Sequence, residues 1–475
     1  MASTDTYSRL FAQYARNTRW ETLPPATVHE VKRRIIDSIG VAIAAFDEDA
    51  PVAARAYAQD YAYRGNSRAA TVWGTAARVN PEVAAFASGL MVRYLDFNDT
   101  YLSQEPLHPS DLIPGLMALA EWAGKGPKEL IPAIAAGYEI SMNLCDAASL
   151  RAHQWDHVNY IGIAEAAGAG RLLGLSQEAT EQAISIAIVP HAAMRQTRAG
   201  ELSMWKGAAA ANSARHGIFG ALLAAKGMTG PFQPFEGEMG FFHQLLGGTP
   251  FKNEALKSLQ NMAPPTRISD AYIKFWPVEY HAQSAVEAAL QVRKAIGGGD
   301  GIRQVRIDTF KASYEIIAKD PEKWAPKTRE TADHSLQYIV AVALLDGQVT
   351  QESYTPAMLA DPRVASLLQR TKLAEDDDLT RGYPEGIPNR IGVVTSEGRE
   401  VAKEVRYPLG HARNPMSDAA LEQKFLANVG RRFTEAQART VLDLAWRLEE
   451  QPDVSGLVRA IRITKGGAAT RRKAT

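Results

Sequence analysis

The stretch "WKGAAAANSARHGIFGALLAAKG" (Trp205–Gly227) decides the fold. Ala, Gly and Ser recur through a helical run, and small side chains let neighbouring helices approach closely, so the segment belongs between other helices at the centre of a domain. Working outward, most of the first 265 residues carry helical spacing. Apolar residues stand three and four apart in "VHEVKRRIIDSIGVAIAAF" (28–46), "KELIPAIAAGYEISMNLCDAA" (128–148) and "QEATEQAISIAIV" (177–189). Helix returns near the other end, in "SDAALEQKFLANV" and "TEAQARTVLDLAWRLEEQ".

Between these regions the character changes after "NMAPPTRISDAYIKFWP". One helical segment, "EYHAQSAVEAALQVRKAI", runs into "GGGDG", and "IRQVRIDTF" then alternates as a strand does. "DHSLQYIVAVALLDG" is helical, and "IGVVTSEGREVAKEVRYP" reads as a hairpin. The pattern predicts a mainly α protein: a large all-helical domain built from both chain ends (1–268 and 413–465) and a smaller inserted α+β lid domain (269–412). The basic segment 466–475 is expected to be a disordered tail. A crevice between two such domains is a favoured place for a ligand.

Composition narrows the function. Lys plus Arg equals Asp plus Glu, at 53 each, so the overall field draws neither nucleic acid nor an anionic membrane. No apolar run reaches the length of a membrane span, and the N-terminal stretch lacks a leader's apolar core. A cytoplasmic protein is expected. The one cysteine, Cys145, sits in the apolar "GYEISMNLCDAAS" and reads as a core residue. A single thiol cannot hold an iron–sulfur cluster. No HExxH, paired CxxC or Walker loop appears, so no metal and no cofactor is expected. "GAGRLLG" (168–174) has the glycines of a dinucleotide loop but no strand before it, and reads as helix.

Chemistry concentrates in "RYLDFNDTYLSQEPLHPSD" (93–111), which supplies Asp96, Asp99, Thr100, Tyr101 and His108. "HQWDHVNY" adds His157, and "HAAMRQTRAGELSMWKG" adds Arg195, Arg198 and Lys206. The later region holds Lys274, Glu279, His281, His334 and Tyr338. Singly, each has a plain explanation: a lone His is more often a satisfied residue than a catalyst, and a lone Lys usually reaches for solvent. Arg198 and Glu201 suit a surface pair. Glu105 and Asp111 read as loop or helix-start residues. Together, the cations suit carboxylates and the imidazoles and acids suit proton transfer. The set points to a small polyanionic acid.

The motifs "YLDFNDTYLSQEPLHPSD", "KGAAAANSARHG", "KFWPVEYHAQSAVEAAL" and "DHSLQYIVAVALLDG" resemble, in order along the chain, the MmgE/PrpD family. Its best-known members are 2-methylcitrate dehydratases, and others are cis-aconitate decarboxylases and an iminodisuccinate epimerase. The resemblance implies a helical domain, an α+β lid and a homodimer. It also implies that positions matching Asp96, Thr100, His108, His157, Lys206, Lys274 and Tyr338 line the active site. Glu279, where animal-type decarboxylases carry a histidine, and the longer segment before His108 favour the dehydratase branch.

The expected reaction is elimination of water from a tricarboxylate, 2-methylcitrate or citrate, by acid–base groups. His108 and His157 are the expected proton-transfer pair, with Asp96 orienting an imidazole or moving a proton and Tyr338 contributing from the lid. Lys206, Lys274, Arg195 and Arg198 would offset the charge that builds beside a carboxylate. Thr100, Glu279 and His281 complete the expected substrate contacts. The alternatives are a decarboxylase or isomerase of a related acid, and a non-catalytic tricarboxylate-binding dimer, which turnover would distinguish.

Overall fold

A computed structural model describes residues 6–65, 68–200 and 202–464. The expected tail, 466–475, lies outside the described residues, as does Glu201. The chain is mainly helical and divides into two compact units. The larger takes residues through Gly200, Met204–Ala271 and the segment from Ser417 onward, and the smaller is built on Tyr272–Met416.

In the larger unit the small-residue stretch forms the helix Trp205–Ala224. Three helices pack against it: Pro81–Tyr94, Asn159–Leu173 and Gln177–Ile188. The approach is close enough to require glycine. A Cβ at Gly217 would lie 2.6 Å from the Glu165 Cβ, and one at Gly220 would lie 2.6 Å from the Ala183 carbonyl. The "GAGRLLG" run closes the helix Asn159–Leu173 with Gly174 in the left-handed region (φ 70°), after which Ser176 caps the next helix by accepting the Ala179 N–H at 3.1 Å. A helix stop followed by a helix start accounts for those glycines. Cys145 is fully buried.

Both chain ends belong to this unit because charges join them. Lys424, on the helix Asp418–Val429, is buried, pairs with Asp37 of the helix Pro25–Ala44 at 2.6 Å and donates to the Phe97 carbonyl at 3.0 Å. The unit departs from the all-helical expectation at one place. Strands β1 (Ala70–Thr71) and β2 (Arg78–Val79) pair antiparallel. Each is two residues long, too short to show a period of two in sequence, and Glu121 holds the pair by accepting the Thr71 N–H (2.6 Å) and hydroxyl (2.7 Å).

The smaller unit carries a four-stranded sheet in the order β4-β3-β5-β6. Strand β3 (Ile302–Thr309) runs parallel to β4 (Thr371–Glu375) and antiparallel to β5 (Asn389–Thr395). Strand β6 (Glu400–Val405) completes the expected hairpin with β5. The helices Gln283–Ile296 and Leu336–Asp346 supply the apolar faces of its core. Strand β4 gave no sequence signal: it is a short edge strand with mostly exposed side chains.

Glu165 stands in the tightest part of the larger unit. It is fully buried, neither carboxyl oxygen has a hydrogen-bond partner among the described residues, and burial pushes its pKa well above the carboxylate range. An acid with a raised folded-state pKa stabilises most when protonated, so its contribution is complete below its ordinary value of 4.5 and declines as pH rises. Glu165→Gln removes that titration. Its stability relative to the parent protein is therefore expected to be better at about pH 8 than at about pH 5 in urea unfolding; a pH-independent difference would contradict a protonated Glu165.

Candidate active site

The segment 93–111 is no solvated loop. From Arg93 to Leu102 every residue is buried. Its neck is closed by Tyr101 and Leu107, which exchange backbone hydrogen bonds of 2.8 and 2.9 Å, and the Thr100 hydroxyl donates to the Leu107 carbonyl at 3.1 Å. Glu105 and Asp111 correct the loop reading. Glu105 is fully buried and accepts the Ser149 hydroxyl (2.9 Å) and the Arg151 N–H (2.8 Å), while burial raises its pKa to about 7. Asp111 does begin a helical turn, but it too is buried and raised to about 7, chiefly by desolvation.

Three parts of the chain meet at Asp96. Its φ of 50° is left-handed, a conformation that aspartate tolerates better than most side chains. Arg93, one helical turn earlier, donates to Oδ1 at 2.8 Å. Lys206, at the start of the central helix, donates to Oδ2 at 2.9 Å. All three are buried. The Nε2 of His108 lies 3.9 Å from Asp96 Oδ1, and its Nδ1 is 2.7 Å from the Asp99 carbonyl oxygen. A carbonyl only accepts, so Nδ1 carries a proton, and whenever the ring is neutral its lone pair is on Nε2.

The His157 ring stands beside His108, with centroids 5.9 Å apart. Its Nδ1 lies 3.3 Å from Asp156 Oδ1, while Nε2 is buried with no hydrogen-bond partner among the described residues. Burial is the largest influence on His157 and lowers its pKa to about 3; Asp156 opposes this, and Arg198, Arg93 and Arg195 add to it. His157 is thus neutral at physiological pH. Arg198 grips the buried Asp156 through Nε (3.0 Å) and Nη2 (3.4 Å), and donates to the Lys206 carbonyl at 3.2 Å, while the pair expected with Glu201 falls outside the described residues. Although desolvation pushes the Asp156 pKa up, Arg198 and His157 outweigh it and hold the group low. Arg195 is half-buried near Glu105 and Asp156, with its pKa lowered chiefly by burial.

The smaller unit holds a second polar cluster. Glu279 caps a short helical turn, accepting the His281 N–H and Nδ1, both at 2.8 Å. Burial pushes Glu279 up, but His281, His334 and Lys274 together bring it to about 2. Lys274 is almost completely buried. His334 contacts Asp333 through Nδ1 at 2.5 Å, and the Asp333 carbonyl accepts the Glu279 N–H at 2.8 Å.

The structure therefore brings together Asp96, His108, His157, Arg198 and Lys206 in one unit, and Lys274, Glu279, His281 and His334 in the other. Tyr338 joins neither group. Its ring is in the apolar core and its hydroxyl donates to the Ser353 carbonyl at 2.7 Å. Thr100, likewise, has its proton on a backbone carbonyl. Sequence reasoning missed Arg93 and Asp156. A signal for one was present: Asp precedes His in both "WDHV" and "ADHS", and each pair is in contact.

Residues 9–254 match the MmgE/PrpD N-terminal domain and residues 276–450 the MmgE/PrpD C-terminal domain. The chain belongs to the MmgE/PrpD family. It is 33% identical to a 2-methylcitrate dehydratase of Cupriavidus necator, over 81% of this chain and 83% of that one. Identity to the 2-methylcitrate dehydratase of Escherichia coli K12 is 31%, over 80% and 82%. It is 28% identical to the cis-aconitate decarboxylase of Homo sapiens, over 93% and 91%. The several 2-methylcitrate dehydratases among its relatives make the chain an enzyme of the lyase class. No helix among the described residues is long and apolar enough to cross a membrane.

Removing Lys206 leaves a buried carboxylate short of one cation. Lys206→Met is expected to lower stability by about 3–5 kcal/mol, the usual cost of breaking a buried pair, while Lys206→Arg, which keeps the charge, lowers it less. Urea midpoints of the two variants decide it, and equal losses would assign Lys206 a packing role.

Proposed function

We propose that this enzyme is a hydro-lyase that eliminates water from 2-methylcitrate to give 2-methyl-cis-aconitate, with citrate as a possible second substrate, in the cytoplasm. The observation that carries the reading is the pair of adjacent imidazoles, His108 and His157, in a dry setting beside Lys206, Arg93 and Arg198. The named dehydratase relatives support it.

Elimination requires two proton movements. A base takes the proton from the carbon next to a carboxylate, the electron pair forms the C=C bond, and the hydroxyl leaves as water once an acid protonates it. In this reading His108, whose Nε2 holds the lone pair, takes the proton, and a second group donates to the departing hydroxyl. His157 is kept neutral, so its ring can serve as an N–H donor and not as a fixed charge. Lys206 and Arg93 offset the negative charge that grows at the substrate, an effect that preorganised cations exert strongly where water is excluded. Lys274 and the Glu279–His281 pair are proposed as substrate-binding groups of the smaller unit. Tyr338 and Thr100 are given structural roles, because their hydroxyl protons are already donated to backbone carbonyls. The single cysteine leaves no thiolate set for an iron–sulfur cluster, and the reaction is read as acid–base chemistry alone.

Decarboxylation of cis-aconitate is the second reading, favoured by the human relative that aligns over most of the chain. Chelator-treated protein supplied separately with 2-methylcitrate, citrate and cis-aconitate distinguishes the two. Unsaturated acid without gas is expected from 2-methylcitrate, at a rate that chelation leaves unchanged and that His108→Ala lowers by at least about 10²-fold. Carbon dioxide from cis-aconitate, with no product from 2-methylcitrate, would replace the dehydratase reading; loss of activity on chelation would remove its metal-free form.

A homodimer is part of the same proposal. Met194, Met204, Trp205, Phe219, Phe232 and Met239 are between 44 and 86% exposed and are the apolar side chains that we propose a second copy covers. Sedimentation equilibrium is expected to return twice the chain mass of 51.7 kDa, and a single-chain mass at micromolar concentration would exclude it.

A further inference from the structure

We propose that Asp99 is the positioning residue that sets the tautomer of His108 and thereby makes its Nε2 the basic atom. The inference rests on the reading of His108 as a proton-transfer group. It assigns a task to a residue that touches neither a cation of the Asp96 cluster nor the position of the reacting atoms.

Asp99 holds His108 through its carbonyl and is itself anchored through its carboxylate. Its backbone carbonyl accepts the Nδ1 proton at 2.7 Å. Its carboxylate reaches past the ring to the turn that follows, where Oδ1 accepts the Ser110 N–H at 2.9 Å. The other oxygen accepts the Tyr138 hydroxyl at 2.7 Å and lies 3.5 Å from Arg34 Nε. Thus the peptide holding the imidazole is tied to three separate parts of the fold: the turn after His108, the helix Pro127–Ala147 that carries Tyr138, and the helix Pro25–Ala44 that carries Arg34.

Asp99 is fully buried, so these donors are not in competition with water. Neighbouring contacts brace the same turn, because Asn98 Nδ2 donates to Ser110 Oγ (2.9 Å) and to Asp111 Oδ1 (3.0 Å). The Tyr101–Leu107 backbone pair closes the loop and returns His108 to Asp99 in register.

The chemistry follows from which atom accepts. Imidazole in water exchanges its proton between the two nitrogens, and a ring free to do so presents the wrong nitrogen part of the time. A fixed carbonyl at Nδ1 removes that freedom and leaves the lone pair on Nε2, which faces Asp96. Partners that orient a working imidazole in this way are typically worth about 10–100-fold in activity. The carboxylate of Asp99 acts one step further back, by preventing the carbonyl from turning away.

The test uses the full-length protein with ¹⁵N-labelled histidine, the His108 signals being assigned by their loss in His108→Gln. In the parent protein the Nε2 of His108 is expected to show the shift of an unprotonated nitrogen and Nδ1 that of a protonated one. Asp99→Ala should bring the two shifts together and lower kcat by about 10–100-fold with KM changed by less than about threefold. Tyr138→Phe removes one anchor and is the variant to use if Asp99→Ala does not fold. It should move both readings in the same direction by a smaller amount. Unchanged His108 shifts and unchanged kcat in a folded variant of either kind would overturn the proposal. The shifts are read on resting protein, so they decide the role of Asp99 even if 2-methylcitrate proves not to be the substrate.

Discussion

A lysine and an aspartate 110 positions apart meet at 2.9 Å where water does not reach, and much of the larger unit can be understood as the means of making that contact tolerable. Burying either charge alone would cost several kcal/mol. The pair is accepted because Arg93 supplies a second cation to the same carboxylate, because Arg198 joins the Lys206 carbonyl to Asp156, and because each buried acid nearby has a donor or gives up its charge. Small side chains along the central helix do the rest. They let four helices close around the cluster and exclude solvent, which strengthens every electrostatic contact within it.

Burial and charge also set the two imidazoles apart. His157 is held neutral well below physiological pH by burial first, with Arg198, Arg93 and Arg195 adding to it against Asp156. His108 is held by a carbonyl, a partner that fixes direction without adding charge. Two rings of the same chemical type, 5.9 Å apart, are thus given different surroundings by the loop and by the turn before the helix Asn159–Leu173. Differences of this kind let one site supply both an acid and a base.

Much of this was legible in the sequence. The helix around Lys206, the strand from Ile302, the hairpin near its close and the helical segments at both ends all announced themselves through periodicity, since each is long enough to repeat its pattern. The strands near Thr71 and the edge strand from Thr371 did not, because two to five residues hold too little pattern, and the edge strand's partner, β3, lies far back in the sequence. The candidate site was legible as a set of residue types but not as a set of partners. Nothing in spacing separates Glu105, a buried acid, from a solvated one, or tells that the Tyr338 hydroxyl is already satisfied by a backbone carbonyl. Arg198 shows the same limit: nothing in the spacing points to Asp156, 42 positions back, as its partner in space.

Lys424 has a consequence for how the molecule is made. It reaches from the helix Asp418–Val429 to Phe97, the residue beside Asp96, and its charge is matched by Asp37. During synthesis the loop that presents Asp96 and His108 emerges long before residue 424 does. Until then Asp37 lacks the ammonium that pairs with it and the Phe97 carbonyl lacks this donor. The packed form of the loop therefore draws on a residue from the far end of the chain, and a chain stopped short of residue 424 cannot make it.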